Sequence, residues 1–228
     1  MSDIAERLQE IRDRLTKAAE RSGRKAEDVD LLAVSKTYPV ETIHEAVNAG
    51  QIMFGENRVQ EVLLKQPQLP GKLQWHLIGP LQSNKVRKVL PLVQMIHAVD
   101  SVEIAKDINR IGGELGLHPK VLIEINVAGE SSKHGFSPSA IRAQLEALYE
   151  LDRLYIQGVM CIPAFDPVAE KSRRFFTMLR EIRDDLEKRG GAPLPVLSMG
   201  MSHDFEVAIE EGATIVRVGS AIFGARAK

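Results

Sequence analysis

The sequence predicts an α/β fold, a single-domain (β/α)8 TIM barrel with an extra N-terminal helix, from three observations. Eight short apolar runs, most of them ending in a polar residue or a glycine, recur along the 228 residues. Helical segments lie between these runs, and strands that alternate with helices pair in parallel. Eight such units in about 200 to 250 residues are typical of a closed barrel, whereas an open doubly wound sheet, the alternative, normally has fewer strands at this length.

The composition limits the classes of partner. The chain has 30 Lys and Arg against 31 Asp and Glu, which argues against a dedicated surface for nucleic acid or for an anionic membrane. The one cysteine, Cys161, excludes an internal disulfide framework and fits a reducing cytosol. No apolar run approaches the roughly 20 residues that span a bilayer, and the charged first segment does not resemble a signal peptide. We therefore expect a soluble, cytoplasmic protein that binds neither nucleic acid nor membrane.

The elements follow in order along one domain, residues 1–228, in which residues 1–29 form a helix and a lead-in. The first helix is predicted by Ile4, Leu8, Ile11, Leu15 and Ala18, which recur in steps of three and four and form one buried stripe. The eight predicted strands are LLAVS (31–35), IMFGE (52–56), WHLIG (75–79), MIHAV (95–99), VLIEINV (121–127), LYIQGVM (154–160), PVLSMG (195–200) and TIVRVG (214–219).

Three of the later helices have clear boundary signals. The segment DSVEIAKDINRIGGELG begins with an Asp/Ser cap. The helix that starts near residue 138 has Ser137 as its cap and Pro138 at its first position. The long helix after strand six ends at Gly190 and Gly191.

Polar residues follow the apolar runs, and in a barrel the C-terminal ends of all strands converge on one rim. Lys36 follows the first run directly. A partly apolar setting favours the neutral form of an amine, which attacks carbonyl groups to give a Schiff base. The alternative is a solvated lysine on the rim.

Two turns near the C-terminus predict a phosphate site. Gly200 and Ser202 follow strand seven and precede a helical segment, and Gly219 and Ser220 follow strand eight. Barrels often bind phosphate between these two loops, although each turn alone could be a plain turn or a helix cap. A carbonyl-seeking lysine and a phosphate site on one rim indicate a phosphorylated aldehyde or ketone, either pyridoxal 5′-phosphate (PLP) or a sugar phosphate.

The motifs AVSKTYP, FGENRVQE, WHLIGPLQSNK, LSMGMSHD and VRVGSAIFGAR resemble, in order from about residue 30 to 226, those of the pyridoxal phosphate homeostasis proteins. These proteins are single-domain relatives of the alanine racemase barrel, the type III fold of PLP proteins. The resemblance implies that Lys36 holds PLP as an internal aldimine and that Arg217 faces the pyridine nitrogen. It further implies that the cofactor-binding residues include Ser198, Met201, Ser202, Gly219 and Ser220 at the phosphate, Asn57 beside the ring, and Met160 and His76 in the pocket wall.

Lys133, in the segment SSKHG, occupies a loop where the family often has a second lysine, and the resemblance implies a role in cofactor exchange. Three positions depart from the common family pattern. Ser220 replaces a threonine and keeps the hydroxyl. His203 stands where aspartate is frequent and His134 where a small residue is common, and the effect of both is open.

Arg217 also bears on whether the protein is an enzyme. Arginine cannot accept a hydrogen bond from a protonated pyridine nitrogen, and the unprotonated ring is a weak electron sink. Racemases with the same arginine use a second acid/base from an additional domain, for which we expect no room in this chain. No metal site is expected, since the six histidines show no ligand spacing.

The sequence therefore predicts a carrier without a dedicated catalytic reaction, which buffers PLP and delivers it to PLP-dependent apo-enzymes. The resemblance further implies a monomer. The alternatives are a PLP-dependent amino acid racemase and a Schiff-base aldolase acting on sugar phosphates.

Overall fold

Eight parallel strands close into a barrel in the computed structural model, which describes residues 3–130 and 133–224. The strands pair in chain order, and the last pairs with the first. They are β1 Asp30–Val34, β2 Met53–Glu56, β3 Gln74–Leu77, β4 Met95–Val99, β5 Lys120–Glu124, β6 Tyr155–Met160, β7 Val196–Met201 and β8 Ile215–Val218. The predicted fold class is confirmed.

Helices surround the strands. They are α1 Asp3–Arg21, α2 Val40–Asn48, α3 Val59–Lys65, α4 Val86–Val89, α5 Val102–Leu115, α6 Pro138–Tyr149, α7 Arg173–Gly190, α8 Phe205–Glu210 and α9 Ser220–Phe223. The predicted boundary signals act as expected: Ser101 Oγ accepts from Ile104 N–H at 3.3 Å, Ser137 Oγ accepts from Ala140 N–H at 3.1 Å, and Gly191 ends α7 in the left-handed conformation. Among the described residues, no helix combines the length and the apolar character needed to cross a bilayer.

The N-terminal helix α1 supports the end of the barrel where the chain closes. Its predicted apolar stripe, from Ile4 to Ala18, is buried. The helix packs against α2, α8 and α9, and Arg14 bonds Glu206 on α8 at 3.0 Å. Because burial of each large aliphatic side chain contributes about 1.5–3 kcal/mol, this stripe holds in place the two helices that follow β7 and β8.

The barrel interior contains an apolar and a polar set of side chains. The apolar set is a buried cluster of Leu32, Val34, Ile78, Met95, Ala98, Leu122, Met160 and Ile215. The polar set crosses the barrel from β3 to β8 and consists of His76, His97, Ser198 and Arg217, all buried. The polar set joins the interior to the cavity described below.

The predicted boundaries differ from the observed ones at some strand ends. The fifth strand ends at Glu124 and not at Val127, because Ile125 leaves the strand to form an isolated bridge with Phe136. The helix predicted directly after Ser202 begins only at Phe205. Residues 1, 2, 131, 132 and 225–228 lie outside the described residues, and with them the ends of the SSKHG and VRVGSAIFGAR segments.

Candidate functional site

A cavity of about 300 Å³ opens at the C-terminal rim of the barrel, beside the ends of β1, β7 and β8. Seven of the residues predicted to bind a cofactor line it together: Lys36, Asn57, Met201, Ser202, Arg217, Gly219 and Ser220. They come from distant parts of the sequence, and the closed barrel brings them to one mouth. The cavity is within the size range of small-ligand sites in proteins.

Lys36 lies two residues beyond the end of β1, and its side chain is half-buried. The preceding residue, Ser35, is fully buried, and its amide donates to the Gly55 carbonyl at 3.1 Å. The chain therefore stays in the plane of the barrel wall up to Ser35 and turns at Lys36. This turn accounts for a lysine at the exit of an apolar strand, since its side chain enters the cavity and not the core.

Arg217 lies at the inner end of the cavity and is almost completely buried. Its Nη1 donates to Ser198 Oγ at 2.7 Å and its Nη2 to the Cys161 carbonyl at 2.8 Å. Burial lowers the pKa of Arg217, and the carboxylates of Glu124 and Asp204 oppose that effect. Guanidinium remains protonated even so, and it presents donors only.

Ser198 and His76 lie beneath Arg217 and do not line the cavity. His97 Nδ1 is 3.0 Å from Ser198 Oγ, and His97 Nε2 is 2.9 Å from His76 Nδ1. Burial lowers the pKa of His76 to about 4 and that of His97 well below its ordinary value, so both rings are neutral at pH 7. His76 lines a different cavity at the N-terminal end of the barrel.

Met160 does not line the cavity either, although it packs in the interior cluster with Val34 and Ile78, which do. The structure therefore brings together seven of the ten predicted cofactor-binding residues and places Ser198, His76 and Met160 deeper. Ser198 is joined to the cavity by its hydrogen bond from Arg217, which lines it.

Ser202 joins the two C-terminal turns. Its Oγ accepts the N–H groups of Gly219 at 3.1 Å and Ala221 at 3.3 Å. Ser202 is not the cap of α8, because Asp204 occupies that position and its Oδ1 accepts from Met201 N–H at 2.8 Å. An oxygen that accepts two N–H groups still has its own proton to donate, and an anion in the cavity is a suitable acceptor.

Gly200 makes this turn possible. Its φ is +89°, and a Cβ at this position would lie 2.5 Å from Ala208 Cβ. Only glycine adopts such a conformation without strain and leaves room for the close approach of α8. The glycine thus brings Met201 and Ser202 to the cavity.

The remaining wall of the cavity is mostly apolar. Sequence analysis did not identify Val34, Ile78, Ile162, Phe165 and His203 as lining residues. Phe165 is 75% exposed and lies with its ring centre 5.3 Å from that of His203. Phe165 lies in an irregular loop after β6 without any hydrophobic period, so no sequence signal marked it.

Lys133 lies beside the mouth and not in the cavity wall. Its Nζ donates to the Ile162 carbonyl at 3.3 Å and pairs with Glu130 at 3.0 Å. His134 pairs with Asp100 at 3.2 Å. Within residues 3–130 and 133–224, no three His, Cys, Asp or Glu side chains are grouped to hold a metal ion.

Comparisons with known proteins place the chain in a family. Residues 7–227 match the family model described as alanine racemase, N-terminal domain. A pyridoxal phosphate homeostasis protein from Aquifex aeolicus is 46% identical over 225 residues, which cover 98% of this chain and 99% of that protein.

Two solved structures have the same fold. The PipY protein of Synechococcus elongatus with PLP bound is 40% identical, with a TM-score of 0.86 over 97% of this chain and 100% of that one. An alanine racemase from Clostridium difficile has a TM-score of 0.71 at 17% identity, over 95% of this chain and 56% of that one. The second likeness concerns the fold alone.

Proposed function

Because the chain belongs to the family of pyridoxal phosphate homeostasis proteins, we propose that it binds PLP in the cavity at the C-terminal rim. The observation that carries the proposal is the meeting of three groups in one cavity: the Lys36 amine, the Arg217 guanidinium and the Ser202 hydroxyl. PLP has one complementary group for each, namely an aldehyde, a pyridine nitrogen and a phosphate. A relative that is 40% identical was solved with PLP bound, which supports the same ligand here.

We further propose that Lys36 holds PLP through a Schiff base. Lys36 is the one lysine among the described residues that line the cavity, and its half-buried position keeps the amine close to the cavity and still reachable from solvent. The phosphate end is then formed by Ser202, Ser220 and the backbone around Gly219. Both turns supply N–H or O–H donors, which suit a dianion.

The protein acts in this proposal as a carrier that buffers PLP and delivers it to apo-enzymes. When bound, PLP supplies a reactive aldehyde and a ring that accepts electrons most strongly when its nitrogen is protonated. Arg217 only donates hydrogen bonds, so it stabilises the unprotonated nitrogen. Tyr38, the tyrosine nearest Lys36 in sequence, donates to the Gly224 carbonyl at 2.6 Å and does not line the cavity. It is therefore not placed as an acid or base for bound amino acids.

The test combines absorbance with chemical trapping. We expect the purified protein with PLP to absorb visible light, to lose that band on borohydride reduction, and to carry the reduced pyridoxyl group on Lys36 by peptide mapping. Lys36→Ala should be colourless, and the matched variant Lys133→Ala should keep the band. An adduct found only on Lys133 would overturn the assignment.

The same preparation distinguishes the alternatives. A colourless protein with retro-aldol activity on sugar phosphates would identify an aldolase. Rapid exchange of the α-hydrogen of an added amino acid with deuterated solvent would identify a racemase-like enzyme and contradict the carrier function.

A further inference from the structure

Both neighbours of Lys36 in the chain are held by the same three side chains, which we call the Glu56–Glu61–Lys65 cluster. The Ser35 hydroxyl donates to Glu56 Oε1 at 2.6 Å, and the Ser35 carbonyl accepts from Lys65 Nζ at 2.9 Å. On the other side, the Thr37 N–H donates to Glu61 Oε2 at 2.7 Å. The backbone is therefore fixed immediately before and immediately after Lys36.

The cluster is itself fully connected. Lys65 Nζ has three acceptors, the Ser35 carbonyl, Glu56 Oε1 at 2.9 Å and Glu61 Oε2 at 2.7 Å, which use all three ammonium protons. The side chains of Lys65 and Glu56 are 5% and 0% exposed. Buried ion pairs are weak contributors to stability, because desolvation offsets the attraction, so a geometric role is the better explanation for one in this place.

Thr37 shows what the cluster holds in place. Its φ is +69°, and among the described residues it is the single non-glycine residue with a positive φ. A β-branched residue in the left-handed region is strained, and such strain persists only where the surroundings impose it. The strained residue adjoins Lys36, and its N–H is bound to Glu61.

We propose that the Glu56–Glu61–Lys65 cluster positions Lys36 by fixing Ser35 and Thr37, so that the amine is directed into the cavity for attack on an aldehyde. In that reaction the amine nitrogen and the aldehyde carbon form a C=N bond, and the aldehyde oxygen leaves as water. The proposal rests on the proposed function of the cavity. None of the three side chains lines that cavity, and Glu61 and Lys65 line a separate cavity of about 360 Å³ on the outer side of the Lys36 turn. They are thus positioning residues, which act through the backbone and do not touch the ligand.

The ionisation of Glu56 agrees with this role. Burial raises the pKa of Glu56 to about 7, against the opposing effects of Ser35 and Lys65, and its Oε2 makes no hydrogen bond to the described residues. For Glu61, burial also raises the pKa, but the hydrogen bonds from Lys65 and Thr37 outweigh it and the net direction is downward. When Glu56 holds its proton, one cation faces one anion and the cluster is electrically neutral.

The test separates capture of the aldehyde from binding of the ring and phosphate. PLP reports capture through borohydride trapping on Lys36. Pyridoxine 5′-phosphate, which has an alcohol in place of the aldehyde, reports binding alone. In Lys65→Met we expect the rate of capture to fall by about 10- to 100-fold, since misplacement of a reacting group by about 1 Å can cost 10²-fold. The affinity for pyridoxine 5′-phosphate should stay within about twofold.

A second variant protects the test against misfolding. Glu61 is 19% exposed, so Glu61→Ala should fold, and it removes the acceptor of the Thr37 N–H. We expect slower capture, and partial recovery in Glu61→Ala/Thr37→Gly, because glycine adopts the left-handed conformation without strain. Arg173→Met is the matched control, since Arg173 also bridges carboxylates away from Lys36, those of Glu170, Glu210 and Glu211. It should leave capture unchanged.

The outcomes are distinct. Unchanged capture in Lys65→Met and Glu61→Ala, or an equal loss of pyridoxine 5′-phosphate affinity, would overturn the positioning role. Failure of the unaltered protein to capture PLP on Lys36 would overturn the proposed function itself.

Discussion

Replacing Ser202 by alanine removes one oxygen atom from the phosphate end of the cavity. In the structure that oxygen accepts the N–H groups of Gly219 and Ala221 at 3.1 and 3.3 Å and retains one proton to donate. If the phosphate of PLP lies between the two turns, this proton is directed to a phosphate oxygen. Ser202→Ala then removes a charge-assisted hydrogen bond without altering Lys36 or Arg217.

The expected loss follows from the strength of that bond. A hydrogen bond to a charged partner is worth about 1.5–3 kcal/mol, and each 1.4 kcal/mol corresponds to a tenfold change in affinity. The N–H groups released from Ser202 can turn to the phosphate and replace part of the loss. We therefore expect the affinity for PLP to fall by about tenfold, the lower end of the range.

The assay compares PLP with pyridoxal, which has the same aldehyde and ring but no phosphate. Absorbance titration should show the tenfold loss for PLP and an unchanged affinity for pyridoxal. Ser101→Ala is the matched control, because Ser101 Oγ also accepts a backbone N–H, at 3.3 Å, at the start of α5 and away from the cavity. It should lower stability by about 1 kcal/mol without affecting either ligand. Equal losses for PLP and pyridoxal, or no loss for either, would refute the placement of the phosphate.

Two further substitutions test the surroundings of the site. Burial raises the pKa of Glu56 from 4.5 to about 7 on folding, so the folded chain binds this proton more tightly than the unfolded chain does. The free energy of unfolding therefore falls as the pH rises from about 4.5 to about 7. The glutamine in Glu56→Gln cannot titrate, so its stability should not fall in this way. Urea unfolding should show that the stability of the variant rises relative to that of the unaltered protein across this pH range, by an amount of the order of 1–3 kcal/mol. A stability difference that is independent of pH would contradict the raised pKa. In Gly79→Ala the new Cβ would clash with the Asn57 carbonyl oxygen. Thermal unfolding should show that the free energy of unfolding falls by about 1–3 kcal/mol. The displacement of Asn57, which lines the cavity, should also weaken PLP binding. Gly71→Ala, where no atom lies within 4 Å, should change neither quantity.

The barrel was predictable because each strand contains a short buried run. Such runs are mostly apolar and are bounded by residues that end them, so the count of eight strands could be read directly. Helix boundaries marked by Ser137 and Gly191 were equally clear, because capping is a local property of the chain. The end of β5 was not predictable, since the bridge between Ile125 and Phe136 depends on a loop that brings Phe136 back to the end of the strand.

The site was only partly predictable, because a residue's height along its strand matters as much as the strand it follows. Ser198 precedes Met201 by three residues on β7, and Met201 lines the cavity whereas Ser198 is fully buried and does not. Lys36 and Asn57 lie beyond the ends of their strands and reach the cavity. The sequence also did not reveal the contact of Lys65 with the chain beside Lys36. Its spacing from Glu61 indicates an ordinary surface ion pair on a helix. Only the fold shows that Lys65 bonds the Ser35 carbonyl.

The polar chain inside the barrel follows from the burial of one cation. Arg217 needs acceptors, and Ser198 Oγ is one of them. The hydroxyl of Ser198 then has a proton to donate, and His97 Nδ1 is the acceptor within reach, at 3.0 Å. His97, being neutral, carries its remaining proton on Nε2 and donates it to His76 Nδ1, which leaves the His76 proton on Nε2, at the cavity near the other end of the barrel.

This direction is favoured because it gives the Ser198 hydroxyl proton an acceptor among the described residues. If His97 donated instead, Ser198 Oγ would accept from both Arg217 and His97, and its own proton would lack an acceptor. Arg217 is a donor only, because guanidinium stays protonated and has no acceptor, and the neutral Ser198–His97–His76 chain adds no charge beside it. If PLP binds as proposed, a pyridine nitrogen placed against Arg217 would meet a donor, and the ring would be a weak electron sink.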